Sequence, residues 1–170
     1  LGILLLAVGA GVGCGHDVTG PTLSSHATAA TALALGSRFT CALTDESKPF
    51  CWGDGLSGQL GDSSFVPKLV PSASAGAHSY VAIAAGDQTT CALDRAGAAW
   101  CWGDDPAQAG IRLSFRNVPT VVSAPRALVS ITVGRKFACG LDDAGNAYCW
   151  GENGRGQLGA GDTVAHQSPT

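Results

Sequence analysis

Apolar positions along this chain recur in three cycles. In each, an apolar residue (Leu33, Ile83, Ile131) stands three positions before a glycine (Gly36, Gly86, Gly134). Five positions after the glycine comes a cysteine (Cys41, Cys91, Cys139), and two further on a leucine (Leu43, Leu93, Leu141). A more polar interval leads to an aromatic-Cys-Trp-Gly cluster: Phe50 to Gly53, Trp100 to Gly103, Tyr148 to Gly151. The first cysteines lie 50 and then 48 residues apart, in the period range of propeller blades and solenoid units.

Each C-x9-C unit predicts a β-hairpin with its two cysteines opposite one another. The loops are then Asp45-Glu46-Ser47, Arg95-Ala96-Gly97 and Asp143-Ala144-Gly145. A three-residue hairpin loop is a type I turn followed by a left-handed residue, where glycine is preferred. Gly97 and Gly145 occupy that place, whereas Ser47 predicts a strained or longer turn. In this register Phe50 faces Ala42, Trp100 faces Ala92 and Tyr148 faces Gly140. Because strand side chains alternate, the aromatics and Trp52, Trp102 and Trp150 share one face, and the cysteines and leucines share the other. A sheet apolar on both faces must be sandwiched, as propeller blades are around an axis. The expected class is all-β, a partial propeller of about three blades.

Composition narrows the function. Of 170 residues 45% are apolar and 14% charged, too apolar for a disordered tail. The 24 glycines and 8 prolines weigh against long helices. With 10 Lys+Arg against 13 Asp+Glu, the net charge is −3, and no basic cluster offers the footprint of a nucleic-acid binder.

The apolar run LGILLLAVGAGV at the start is too short to span a bilayer as a helix. It suits a secretory signal, residues 1–13, lacking its first residues. Cys14 follows directly, as the lipidated cysteine does in a bacterial lipobox, although Gly11 stands where leucine is usual. The alternative is plain secretion with cleavage near Ala27-Thr28-Ala29. Residues 14–32, rich in small and polar side chains, read as a flexible tether. Repeats fill 33–170, in units near 33–80, 81–128 and 129–170. Export into an oxidising compartment predicts disulfides Cys41–Cys51, Cys91–Cys101 and Cys139–Cys149. The alternative is three pairs of buried thiols.

G-x4-C-A-L, then C-W-G, then G-Q-L-G (Gly58 to Gly61, Gly156 to Gly159) resembles the repeat of the regulator of chromosome condensation (RCC1) family in its bacterial, cysteine-containing form. The second repeat departs from it at Asp104-Asp105-Pro106-Ala107-Gln108-Ala109-Gly110, which lacks the full GQLG. The resemblance implies a seven-bladed propeller, so three blades read as part of a longer protein.

Other chemistry is poorly supported. Gly53-Asp54-Gly55-Leu56-Ser57-Gly58 matches a dinucleotide fingerprint but no helix signal follows. The cysteine spacing is wrong for zinc, and His16, His26, His78 and His166 are out of phase with the repeat and read as surface residues. Asp54, Asp104 and Glu152, one after each CWG, read as solvated turn carboxylates rather than calcium ligands. No cofactor, metal or catalytic residue is expected. The leading expectation is a non-enzymatic scaffold at the bacterial cell envelope, lipid-anchored or secreted, that binds a protein or other macromolecular partner through loops that vary between blades. The alternatives are guanine-nucleotide exchange, implied by the family's founder, and accessory repeats of a larger envelope enzyme.

Overall fold

The computed structural model describes residues 29–104 and 115–170, and every regular element among them is a β-strand. The signal segment, Cys14, His16, His26 and most of the second post-CWG loop lie outside the described residues.

Three antiparallel sheets follow one another along the chain. The first contains β1 (Ala30–Leu35), β2 (Phe39–Thr44), β3 (Pro49–Gly53) and β4 (Lys68–Ala73), in that order. The second contains β5 (Tyr80–Ala85), β6 (Thr89–Asp94), β7 (Ala99–Asp104) and β8 (Phe115–Val122). The third is β9 (Ser130–Val133), β10 (Phe137–Leu141) and β11 (Ala147–Gly151). At its outer edge His166 and Thr170 exchange backbone hydrogen bonds with Gly151 and Cys149, at 2.7–3.0 Å. The first sheet starts at Ala30, earlier than the expected tether boundary at residue 32. Ala30 pairs with Thr44 and Ala32 with Leu43, and Ala32 packs beside Leu43. Small residues give little alternation to read, which is why this strand looked like tether.

The hairpin registers are those expected: Cys41, Cys91 and Cys139 face Cys51, Cys101 and Cys149. Each pair is a disulfide with Cα atoms 4.1 Å apart. These are narrow, non-hydrogen-bonded positions of the ladder. The first hairpin keeps the three-residue turn, because Ser47 takes φ 63° where Gly97 and Gly145 take 78° and 83°. The turn is therefore of ordinary length, and a non-glycine residue accepts the left-handed conformation.

The sheets stack in one direction. The cysteine/leucine face of the first, with Leu43, packs on the tryptophan face of the second, with Ala92, Trp100 and Trp102. The cysteine/leucine face of the second, with Cys91, Leu93 and Cys101, packs on Ala138, Tyr148 and Trp150 of the third. The first strands β1, β5 and β9 are neighbours along the inner edge. Trp102 and Trp150 are fully buried between sheets. Burying one indole removes roughly 200 Å² from water, worth about 5 kcal/mol before entropy is counted.

Stacking explains two departures from the expected repeat core. Leu43 and Leu93 are 3% and 1% exposed, but Leu141 is 42% exposed. Among the described residues no sheet packs against its face of the third sheet. Trp52 is only half-buried for the complementary reason, being on the outward face of the first sheet, where Leu33 and Leu35 are 64% and 70% exposed.

Candidate functional site: the loop face

At one edge of every sheet, the turn between its first two strands meets the loop that follows CWG. The glycine of CWG makes this junction. Gly53, Gly103 and Gly151 take φ of 106°, 91° and 114°. A β-carbon there would lie 2.5, 2.2 and 2.5 Å from the carbonyl oxygens of Arg38, Gln88 and Lys136. Those carbonyls accept the amide N–H of the next residue, Asp54, Asp104 or Glu152, at 2.8–2.9 Å. Only glycine combines this backbone conformation with such an approach.

The glycine of the first turn is needed for different reasons in different sheets. A β-carbon on Gly36 or Gly134 would overlap the ring of Phe39 or Phe137, at 2.0 and 2.2 Å. On Gly86 it would strike the carbonyl oxygen of Gly134 in the neighbouring sheet, at 2.1 Å. The turns thus touch one another around the inner edge.

The glutamine of GQLG closes its own loop. Gln59 Oε1 accepts the Ser57 N–H at 2.8 Å, and Gln157 Oε1 accepts the Arg155 N–H at 2.9 Å. The Gln59 carbonyl accepts the Thr90 hydroxyl of the next sheet at 2.8 Å. Aspartates fasten the outer part. Asp62 accepts Ser64 N–H and hydroxyl bonds and pairs with Lys68 at 3.1 Å. Burial opposes ionisation of Asp62, but Ser64 and Lys68 outweigh it and hold its pKa below the usual value. Asp162 is likewise held low, by the Val164 amide first and then by His166 against some burial. His166, expected as a surface residue, is half-buried, with Nε2 3.1 Å from Asp162. His78 is exposed, as expected.

Side chains on these turns link successive sheets. The Ser37 hydroxyl donates to the Asp87 carbonyl at 2.7 Å, and the Asp87 carboxylate lies 3.7 Å from Arg135 Nε. The Ser57 hydroxyl donates to Gln88 Oε1 at 3.2 Å. Lys136 Nζ pairs with Asp104 at 3.1 Å, so Asp104 is a link between sheets rather than a solvated turn carboxylate. Asp54 instead accepts the Leu56 N–H of its own loop at 3.0 Å. Glu152 is exposed and, with Arg135, Lys136, Gly154, Arg155 and Gln157, lines a concavity of about 350 Å³. Among the described residues no group of three His, Cys, Asp or Glu side chains is placed to hold a metal.

At the opposite edge the hairpin loops carry a feature that the sequence reading missed. Asp94 Oδ1 accepts the Ala96 and Ala98 N–H groups at 2.9 and 3.0 Å, while Oδ2 accepts Trp100 Nε1–H at 3.0 Å. Asp142 does the same for Ala144 and Asn146, with the Tyr148 hydroxyl at 3.3 Å. The available signal was Leu-Asp ahead of the turn in two cycles; the first has Leu-Thr. His78 stacks on Trp100 with ring centroids 3.8 Å apart.

Comparison with known proteins agrees with this architecture. The model of the regulator of chromosome condensation (RCC1) repeat matches residues 30–59, 80–106 and 128–157. No curated relative matches the chain. Human WBSCR16 superposes with a TM-score of 0.75 at 20% identity, over 86% of this chain and 38% of that one. Yeast RCC1 (Prp20), in its structure bound to Kap60, superposes with a TM-score of 0.69 at 21% identity, over 83% of this chain and 36% of that one. The ectodomain of the Physcomitrella patens receptor kinase CR4 gives 0.53 at 26% identity, over 74% of this chain and 30% of that one. The chain therefore spans under two-fifths of the length of each of these proteins. With the repeat model placed three times over half of the sequence, once on each stacked sheet, the chain belongs to the regulator of chromosome condensation (RCC1) repeat family.

Proposed function

We propose that the chain is a non-enzymatic propeller scaffold at the bacterial cell envelope, which binds a protein partner through its loop face. The observation carrying this reading is that turns closed by the same backbone hydrogen bonds present different side chains in each blade, with Lys136 alone of them in a left-handed conformation at φ 60°. The turn pairs are Ser37-Arg38, Asp87-Gln88 and Arg135-Lys136, on glycine-defined backbones fixed by the same hydrogen bonds. A rigid scaffold with variable tips supports recognition of a macromolecular surface. Yeast RCC1, similar in fold, is bound to the protein Kap60 in its structure. In this reading Cys14, after the apolar run, carries the lipid that holds the scaffold to a membrane.

The test pairs capture with surface variants. Envelope proteins retained by the chain should be lost when Lys136 and Arg155 become Glu and kept when Glu46 and Asp143, on the opposite edge, become Lys. Retention by both variants would refute loop-face binding. Acceleration of nucleotide release from a small GTPase would favour the exchange reading instead.

A further inference from the structure

The connectors that carry the chain from one sheet to the next are equal in length but not in contacts. Between the first and second sheets, residues 75–79 are fastened to their surroundings. The Ala75 N–H donates to the Gly61 carbonyl at 2.7 Å, His78 stacks on Trp100, and the His78 carbonyl accepts a bond from Lys48 Nζ at 3.4 Å. The equivalent residues between the second and third sheets are 123–127, with Arg126 in the place of His78. Among the described residues, neither their peptide groups nor their side chains make a hydrogen bond or an ion pair.

Together with Ala96, Gly97 and Ala98 of the second hairpin loop and the end of β8, residues 123–127 line a groove of about 410 Å³. Gly97 joins loop and connector. Its carbonyl accepts the Leu128 N–H at 2.9 Å, and a β-carbon on it would lie 2.8 Å from Cβ of Ala127. Glycine therefore lets the connector run close to the loop, and the small side chains on both leave the groove open. Both sheets at this junction lie within the chain, so the groove is no part of the outward faces of the first and third sheets.

Charge selects the occupant. Arg126 lines the groove and Arg95 adjoins Ala96 in the hairpin loop. Both are exposed, and neither has an ion-pair partner among the described residues. The carboxylates nearest to them in sequence are already engaged inside their own hairpins: Asp94 by Ala96, Ala98 and Trp100, Asp142 by Ala144, Asn146 and Tyr148. We propose that the groove binds an extended acidic segment of a partner polypeptide. Its backbone bonds to the unpaired peptide groups of residues 123–127, and its carboxylates pair with Arg95 and Arg126. Main-chain hydrogen bonds supply affinity in this mode of recognition, and arginine–carboxylate pairs add direction. Pro125 has no N–H, which leaves Ser123, Ala124, Arg126 and Ala127 as donors. Five extended residues span about 16 Å, so a segment of that length matches the connector. The groove is at the hairpin-loop edge and is independent of any partner of the loop face.

Selection of phage-displayed random heptapeptides on the oxidised full chain tests the proposal. Acidic sequences should be enriched. In fluorescence anisotropy a selected peptide should bind Arg95→Glu/Arg126→Glu at least about tenfold more weakly than wild type. The same peptide with its acids changed to lysine should prefer that variant to wild type. Ala96→Trp, at an exposed position, should fill the groove and abolish binding. Amide hydrogen exchange at Ser123, Ala124, Arg126 and Ala127 should slow when the peptide binds. Binding should persist in Lys136→Glu/Arg155→Glu, so that this reading and the loop-face reading fail separately. Enrichment of sequences without acids, unchanged affinity in the arginine variant, or amides that gain no protection would each overturn the proposal. Tighter binding of a single-stranded oligonucleotide than of any selected peptide, lost in the same arginine variant, would also overturn it and assign the groove to a phosphate backbone.

Discussion

Removing the Cys91–Cys101 bridge should cost more than removing the identically spaced Cys139–Cys149 bridge. Both close loops whose ends are 10 residues apart in sequence. The chain-entropy model gives the same stabilisation for each, about 2.8 kcal/mol. Their surroundings differ. Cys91 and Cys101 are fully buried against Ala138 and Trp150 of the next sheet, whereas Cys139 and Cys149 are half-buried on a face that no sheet covers among the described residues. Replacing the pair by alanine removes two sulfur atoms. At a fully packed site each deletion resembles loss of a buried methylene, about 1 kcal/mol with its cavity. Cys91→Ala/Cys101→Ala should therefore lose about 4–5 kcal/mol, and Cys139→Ala/Cys149→Ala about 3 kcal/mol.

Urea unfolding followed by tryptophan fluorescence measures both losses, provided the slope with denaturant is compared as well as the midpoint. The same geometry orders chemical reduction. Thiol–disulfide exchange needs access to sulfur, so mild reductant should open Cys139–Cys149 before Cys91–Cys101. Equal losses for the two double variants would refute the burial argument. A loss below about 1 kcal/mol for both would refute the loop-constraint argument. Free thiols in the untreated protein would contradict the bridges themselves.

Four further substitutions isolate other features. Gly103→Ala puts a β-carbon 2.2 Å from the Gln88 carbonyl oxygen at φ 91°, and should cost at least about 3 kcal/mol in thermal unfolding. Gly145→Ala, at φ 83° with open space around it, should cost only about 1–2 kcal/mol. Asp94 is held below its usual pKa because bonds from Trp100, Ala98 and Ala96 overcome the opposing effect of burial. Its contribution to stability is therefore full above the unfolded carboxylate value of about 3.9, and is lost as pH falls through the lower folded value. The stability gap between wild type and Asp94→Asn should accordingly be constant near neutrality and shrink in acid; a gap that persists at the lowest pH would contradict this. Labelling cells with an alkyne fatty acid should mark the wild type and not Cys14→Ser, and equal labelling would exclude the lipid anchor.

What could be read from the sequence depended on whether a residue's partner lies in its own hairpin or in the next sheet. Cys41 and Cys51, Phe50 and Ala42, or Gly97 and its turn satisfy one another locally, so spacing and turn chemistry were enough to place them. The glycines of CWG repeat because a carbonyl of the same sheet approaches each of them, and that necessity recurs with the period. Links between sheets carry no such mark. Lys136 pairs with Asp104, and Thr90 with Gln59, at separations set by stacking rather than by any one cycle. Asp94 and Asp142 were local but occur in only two cycles, so the three-way alignment did not expose them.

Leucines 43, 93 and 141 show the limit most plainly. They occupy one place in the repeat and share one residue type, and a single cycle assigns them a single environment. Their burial nevertheless differs, because the environment of that place belongs to the following sheet. In a stacked array the sequence of one unit determines its hairpin, while the faces and loop tips acquire their roles from neighbours. The repeat was therefore legible early. The loop-face contacts depend on Arg135 and Lys136 reaching back to Asp87 and Asp104 of the preceding sheet, a relation that no single cycle encodes.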